Sequence, residues 1–331
     1  VVGRALLRGR FVMGRVAAID CGTNSVRLLI ADIEGGNQTD LERRMEIVRL
    51  GQGVDRTGVL APDALERTFT AMRGYQKLIR RHAAAHLGLG VPAPGAALEC
   101  ADLMPVRVVA TSATRDAANR ADFVAGVREI FGVEPEVITG HEEAELSFTG
   151  ATRSITGVES PYLVVDIGGG STEFVVGNAS VEAARSVDIG CVRLTERHTG
   201  PDGLDVAGVI RDVEAALSQV EQVVPIRTAK TLIGLAGSVT TVAGIALDLP
   251  AYDPERIHHS RIPAAKVHEI AALLPRMTSE ARAAIPVMHP GRVDVISAGA
   301  TILDQIVRHF GFADVVVSEH DILDGIAWSI A

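Results

Sequence analysis

Asp20-Cys21-Gly22-Thr23-Asn24-Ser25 and Asp166-Ile167-Gly168-Gly169-Gly170-Ser171 follow one plan. Each closes an apolar run, Val16-Ala17-Ala18-Ile19 in the first case and Tyr162-Leu163-Val164-Val165 in the second. Each leads straight into another run, Val26 to Ile33 or Glu173 to Val176. Short apolar runs bounded by turn residues read as buried strands. Apolar strand, Asp, any residue, Gly, small and hydroxyl residues, second strand: the pattern is written twice. Glycine lets backbone approach an anion closely, and successive N–H groups form a concave anion nest. Ser and Thr hydroxyls add donors, and a carboxylate at the strand end can hold a hydrated magnesium ion, which favours carboxylates plus water. Either hairpin alone reads equally well as an ordinary glycine turn. The match between them favours a duplicated phosphate loop, with two similar halves placing both loops in one cleft.

Working outward, Asp40 to Leu50 reads as a third strand after the Gly35-Gly36-Asn37 turn, and Pro62 opens a helix whose apolar stripe runs to about His86. Gly90 to Pro105, rich in Pro, Gly and Ala, reads as a long surface loop. Val106 to Ala110 is a strand, followed by a helix near Thr114 and a short strand at Glu136-Val137-Ile138. In the second half, Val206 to Val220 is an amphipathic helix, Leu232 to Leu235 a strand, and Val239 to Leu247 a helix. Ile302 to Phe310 is helix, Asp314 to Val317 strand, and Ile322 to Ile330 a closing helix. Strands and helices mixed in this way give layered α/β structure.

Two further elements carry donors. Ala110-Thr111-Ser112-Ala113-Thr114-Arg115 lies where a strand meets a helix, with hydroxyls and one guanidinium. Leu235-Ala236-Gly237-Ser238-Val239-Thr240-Thr241 does the same, and a helix N-terminus attracts anions. Each alone reads as routine capping by Ser or Thr; with the two loops they describe a site for several phosphates.

The 331 residues, 47% hydrophobic and 22% charged, are enough for two domains with large cores. No apolar run reaches the roughly 18 residues needed to span a bilayer, and residues 1–12 read as an upstream extension before Met13. Cys21, Cys100 and Cys191 are widely spaced, which fits a reducing cytoplasm rather than a disulfide framework or zinc site. A net charge of −9 argues against a general nucleic-acid binder. Lys77, Lys230 and Lys266 are the only lysines; the preference for arginine suits phosphate contacts but reads first as a coding bias.

These motifs, with Gly140-His141-Glu142-Glu143-Ala144 and the continuation Thr172-Glu173, resemble the exopolyphosphatase and guanosine pentaphosphate phosphohydrolase family from about Met13 to the end. Asp-x-Gly-Thr alone marks only the wider actin, Hsp70 and sugar-kinase superfamily; the Glu-Glu-Ala element and the triglycine loop are narrower. The resemblance implies an α/β fold of two ribonuclease-H-like domains, residues 13–139 and 140–319, with an interdomain active-site cleft and the closing 320–331 helix returned to the first domain. It implies that Glu143 is the base for the attacking water and that Asp166, Glu173 and Asp20 hold Mg2+. Gly22, Thr23, Asn24, Ser25, Arg115, Gly168, Gly169, Gly170, Ser171, Gly237 and Ser238 match phosphate-binding positions. The expected substrate is inorganic polyphosphate, with guanosine pentaphosphate (pppGpp) as the alternative; neither nucleic acid nor membrane is an expected partner, and a homodimer is expected. Long members carry an additional helical domain that this sequence does not reach, so a short form acting on shorter chains is expected.

Other readings stay open on the residues alone. Glu142, Glu143 and Glu145 at a helix start also suit the helix dipole. Glu173 can be a solvated strand residue, whereas Asp166, ending a buried strand, is costly unless paired or metal-bound. His82 with His86, and His258 with His259, read as surface positions; Arg193 and Arg197, after the Ile189-Gly190-Cys191 turn, read either as reaching the cleft or as a solvated face, and Arg292 and Asp294 as capping and ion pairing. A non-catalytic sensor of polyphosphate or alarmone, or a kinase of the same superfamily, are the rivals from other classes.

Overall fold

The computed structural model describes residues 14–88 and 104–331. The expectations for the upstream extension, for Cys100 and for most of the Gly90–Pro105 loop lie outside the described residues. The chain divides into two compact units. One ends at Ile138 and is completed by Leu323–Ala331; the other is Thr139–Ile322.

In the first unit, β1 (Arg15–Cys21), β2 (Ser25–Glu34) and β3 (Asn37–Ile47) form an antiparallel meander. Gly35 and Gly36 both have positive φ, 57° and 85°, the requirement of a two-residue hairpin turn matching strand twist. That turn pairs Glu34 with Asn37, so the third strand begins and ends three residues earlier than its apolar content indicates. The helix α1 (Pro62–Leu87) buries Leu65, Met72 and Ile79 with Phe123 and Phe131 of α2 (Arg120–Phe131) in one core. Between the helices, β4 (Val106–Ala110) adds parallel to β1, and β5 (Glu136–Val137) adds to β4, giving the order β3-β2-β1-β4-β5.

The second unit opens with α3 (Gly140–Thr152) and repeats the plan. The strands β6 (Tyr162–Ile167), β7 (Thr172–Gly177) and β8 (Val181–Val187) make the meander. After α4 (Cys191–His198) and α5 (Val206–Glu221), β9 (Thr231–Leu235) joins β6 in parallel. Then come α6 (Ala236–Ala246), β10 (Arg261–Pro263), α7 (Ala264–Leu273), α8 (Ile296–Phe310) and β11 (Asp314–Val317). The sheet order is β10-β11-β9-β6-β7-β8, the first unit's order with one edge strand added. The duplication visible in two short motifs therefore extends to whole sheets. The core gathers Val165, Phe174, Val213, Leu217, Ile302 and Ile306.

The closing helix α9 (Ile322–Trp328) groups with the first unit from Leu323. Its buried Asp324 pairs with Arg43 and accepts from Gln38, both on β3, and Ser329 accepts from Arg107 on β4. Among the described residues no helix is long and apolar enough to cross a membrane.

Candidate active site

Both phosphate-loop motifs are four-residue turns with the same closure. Gly22 N–H donates to the Ser25 carbonyl at 3.0 Å, and Gly168 N–H donates to the Ser171 carbonyl at 3.0 Å. Each turn stands at the carboxyl end of its first strand, beside the end of the parallel neighbour: Cys21 pairs with Ala110, and Asp166 with Leu235. Ligands of open α/β sheets bind outside such carboxyl ends.

In the first unit, Thr23 Oγ1 lies 2.9 Å from Ser112 Oγ, so the first loop and the strand-to-helix element Thr111–Arg115 meet through buried hydroxyls. Arg115 donates to the Ile138 carbonyl at 3.1 Å. Asp20 pairs in register with Arg27, and its Oδ2 accepts from Arg27 Nη2 at 2.7 Å and Nε at 2.9 Å. This ion pair lies within the β1–β2 hairpin, at a carboxylate that is 4% exposed.

The same register position in the second unit holds Glu173 opposite Asp166. Two carboxylates thus face each other where the first unit has an ion pair. Glu173 is 1% exposed, which removes its reading as a solvated strand residue. Its support is hydroxylic: Ser186 Oγ donates to Oε1 at 2.7 Å, and Ser171 is a second hydrogen-bond partner. Burial, then the charges of Glu143 and Asp166, push the Glu173 carboxyl well above its usual range, more than the two hydroxyls pull it down.

The helix α3 brings the third carboxylate and separates the two adjacent glutamates by function. Glu142 completes a capping box: its N–H donates to Thr139 Oγ1 at 3.2 Å, and its Oε2 accepts from Thr139 N–H at 3.1 Å. Glu143 is buried, so helix capping does not account for it. One turn further, the fully buried Ser147 donates to Asp166 Oδ2 at 2.8 Å. A side chain at Gly140 would come within 2.5 Å of Ser186 Cβ, so glycine lets α3 dock on β8 beside the serine that holds Glu173.

Gly237 and Ser238 lie in the first turn of α6 rather than ahead of it, entered through Ala236 at φ 66°. A non-glycine residue in this region is strained, and such strain concentrates at functional turns. Arg292 donates to the Gly237 carbonyl at 3.2 Å, and a Cβ on Gly237 would collide with its guanidinium. Ser238 is hydrogen-bonded to Cys191, whose thiol burial pushes up in pKa.

Ser147, Ser186 and Arg292 are the residues here that sequence reasoning missed; Arg193 it left between the cleft and a solvated face. Arg193 is no solvated side chain: 12% exposed, it donates from Nε to the Gly170 carbonyl at 2.7 Å. A signal was present for Ser147, four residues after Glu143 and hence on the same helix face.

A cation fits the second unit's carboxylates. Opposed, buried like charges supported by hydroxyls call for a proton or a metal ion. Among the described residues no three His, Cys, Asp or Glu side chains form a cluster that could hold an ion.

The Ppx/GppA phosphatase family matches residues 98–331. Exopolyphosphatase 2 of Mycobacterium tuberculosis is 46% identical over 96% of this chain and 98% of its own. Among solved structures, an exopolyphosphatase-like protein superposes with a TM-score of 0.85 at 37% identity, covering 95% of this chain and 98% of that one. The Aquifex aeolicus Ppx/GppA family member gives 0.75 at 30% identity, covering 96% and 97%. With the repeated sheet order, these similarities identify the actin-like, ribonuclease-H-like fold.

Proposed function

The chain belongs to the Ppx/GppA phosphatase family, and we propose that it is an exopolyphosphatase, hydrolysing the terminal phosphoanhydride of inorganic polyphosphate with Mg2+. The observation that carries this reading is the buried carboxylate group Glu143, Asp166 and Glu173 beside the triglycine turn. Phosphoryl transfer asks a protein mainly for positioning and charge neutralisation. Amides of the Gly168–Ser171 turn and the Gly237–Ser238 helix start supply donors to phosphate oxygens. In the first unit, Gly22, Thr23, Asn24, Ser25 and Arg115 are assigned the same task.

Glu143 takes the proton of the attacking water as its oxygen bonds to the terminal phosphorus. The bridging oxygen leaves with the shortened chain, and orthophosphate is released. Asp166 and Glu173 hold the magnesium ion, which when bound neutralises phosphate charge; Ser147 and Ser186 fix those two carboxylates. Asp20 is the third candidate for the ion, and its bonds to Arg27 leave it the weakest of the three.

Phosphate release from short polyphosphate, long polyphosphate and guanosine pentaphosphate, measured side by side with Mg2+, tests the assignment. A positioned general base contributes about 10²–10⁴-fold, so Glu143→Gln should lose at least about 10²-fold in kcat with little change in KM. Unchanged turnover removes Glu143 from the reaction. Preferential release from guanosine pentaphosphate replaces the substrate, and binding without release by the wild type favours a sensor.

A further inference from the structure

Three consecutive carbonyls of the triglycine turn are taken from one side. Cys191 N–H donates to the Gly168 carbonyl at 3.0 Å, and Val192 and Arg193 N–H donate to the Gly169 carbonyl at 2.9 and 3.1 Å. The Gly170 carbonyl accepts from Arg193 Nε at 2.7 Å. The first three amides of α4, which a helix leaves without internal partners, are thus spent on the loop and not on a ligand. In a trans peptide the C=O of one residue and the N–H of the next point in opposite directions. Fixing the carbonyls of Gly168, Gly169 and Gly170 toward α4 therefore turns the amides of Gly169, Gly170 and Ser171 the other way. Gly168 N–H is already spent on Ser171, so those three amides form the anion nest.

The first unit uses the same device. Gly51 N–H donates to the Thr23 carbonyl at 2.8 Å, and Val48 and Arg49 N–H donate to the Asn24 carbonyl at 3.0 and 2.8 Å. The donors are Val48, Arg49 and Gly51, just after β3, in the first unit, and Cys191, Val192 and Arg193 at the start of α4 in the second. A glycine in or next to each set is in close contact: a Cβ on Gly51 would lie 2.3 Å from Thr23 Cγ2, and one on Gly190 would lie 2.2 Å from the Gly169 carbonyl oxygen. The second unit's turn has three glycines and no side chain before Ser171 to stiffen it. There a side chain, Arg193, is added to the clamp.

We propose that Arg193 is a positioning residue, which acts through its Nε–H on the Gly170 carbonyl to set the Ser171 amide toward substrate phosphate, and not through its charge. The proposal rests on the polyphosphate reading of the site.

Glutamine separates the two roles, because its Nε2 occupies the place of arginine Nε, both bonded to Cδ, while it carries no charge. Lysine keeps the charge but has a methylene there. Arg193→Gln, Arg193→Lys and Arg193→Met are compared in two measurements: calorimetric binding of tripolyphosphate in the Glu143→Gln background, and phosphate release in the otherwise native chain. Losing the hydrogen bond to the Gly170 carbonyl should weaken tripolyphosphate binding and raise KM up to about tenfold in the Lys and Met variants, with Gln within about threefold of the parent. Thermal midpoints of all three identify any variant that has lost its fold. A Lys variant near the parent with Gln as impaired as Met overturns the proposal in favour of direct charge contact, and three variants alike overturn it outright. Because binding is read apart from turnover, a parent that binds but releases no phosphate sinks the hydrolase reading alone. A parent that does not bind sinks both.

Discussion

Replacing Glu173 by Gln should stabilise the metal-free protein while abolishing its activity. Glu173 stands opposite Asp166 in the β6–β7 register, and directly opposed residues on one sheet face have Cβ atoms about 4.5–5.5 Å apart. Two like charges about 5 Å apart repel by about 3 kcal/mol at an effective dielectric of about 20. Burial, Glu143 and Asp166 together hold the Glu173 carboxyl above its ordinary 4.5. A carboxyl raised in this way makes the folded state the better proton binder. Its stabilising contribution is complete below the unfolded value and is lost as pH rises through the folded one. Near pH 4.5 the wild type carries a neutral Glu173 and should match the variant. As pH rises through the raised value of Glu173, the variant should come to lead by about 1–3 kcal/mol, at about 2–4 °C in midpoint per kcal/mol for a domain of this size. Ser186 can still donate to the amide oxygen, and the Ser171 hydroxyl can turn to accept from the amide nitrogen. Thermal melts in EDTA across this range, repeated with saturating Mg2+, read the effect. The wild type should gain about 2.7 kcal/mol when Mg2+ is one hundred times its Kd, and the variant should gain little. Phosphate release by the variant should fall about 10²-fold or more. A variant less stable than wild type at every pH in EDTA, or equally stabilised by Mg2+, refutes the reasoning.

The remaining predictions concern the supports. Ser147→Ala removes the buried hydroxyl on Asp166 and should lower kcat/KM about tenfold, most visibly as a raised Mg2+ requirement in a titration of phosphate release. Arg27→Met leaves the buried Asp20 carboxylate without its internal cation and should destabilise by about 3 kcal/mol in denaturant melts. Asp20→Asn with Arg27→Met should recover most of that loss. Gly51→Ala drives a methyl against Thr23 Cγ2 and should raise KM several-fold. Thr23→Ser in the same chain, which keeps the hydroxyl facing Ser112, should bring KM back toward wild type.

The apolar strands and their glycine turns were legible because a buried strand must be a short apolar run and a tight turn needs residues free of a Cβ. The misplacements have physical causes. Residues 48–50 read as strand because Val48 and Leu50 are apolar, yet the amides of Val48, Arg49 and Gly51 are turned toward Asn24 and Thr23. The helix α8 starts at Ile296, ahead of the expected Ile302, because Ser297-Ala298-Gly299-Ala300-Thr301 carries no apolar stripe. Those residues are small for packing: a Cβ on Gly299 would fall 2.2 Å from Ser238 Oγ. His258 and His259, read as a surface loop, are half-buried and stacked with ring centroids 3.7 Å apart. Within the site, Asp166 and the glycine turns declare themselves in one stretch of chain. Ser186, Arg193 and Arg292 do not, because each earns its place only through a partner that tertiary structure brings to it.

The two hairpins share strand order, turn length, closing hydrogen bond and backbone donors, from further along the chain, that hold their carbonyls. What distinguishes them is the residue seven positions after the aspartate. Arg27 gives Asp20 a counter-ion from its own hairpin. Glu173 gives Asp166 a second negative charge, and Glu143 on α3 adds a third. An aspartate already paired loses that pairing when it binds a cation, so the first hairpin resists one. The second is destabilised until a proton or a cation arrives, and a proton on Glu173 is the weaker answer as pH rises. On the proposed function, duplication therefore supplied two equivalent amide nests for phosphate. A single side-chain difference then decided that only the second would also be an acidic one, beside the glutamate proposed to activate water.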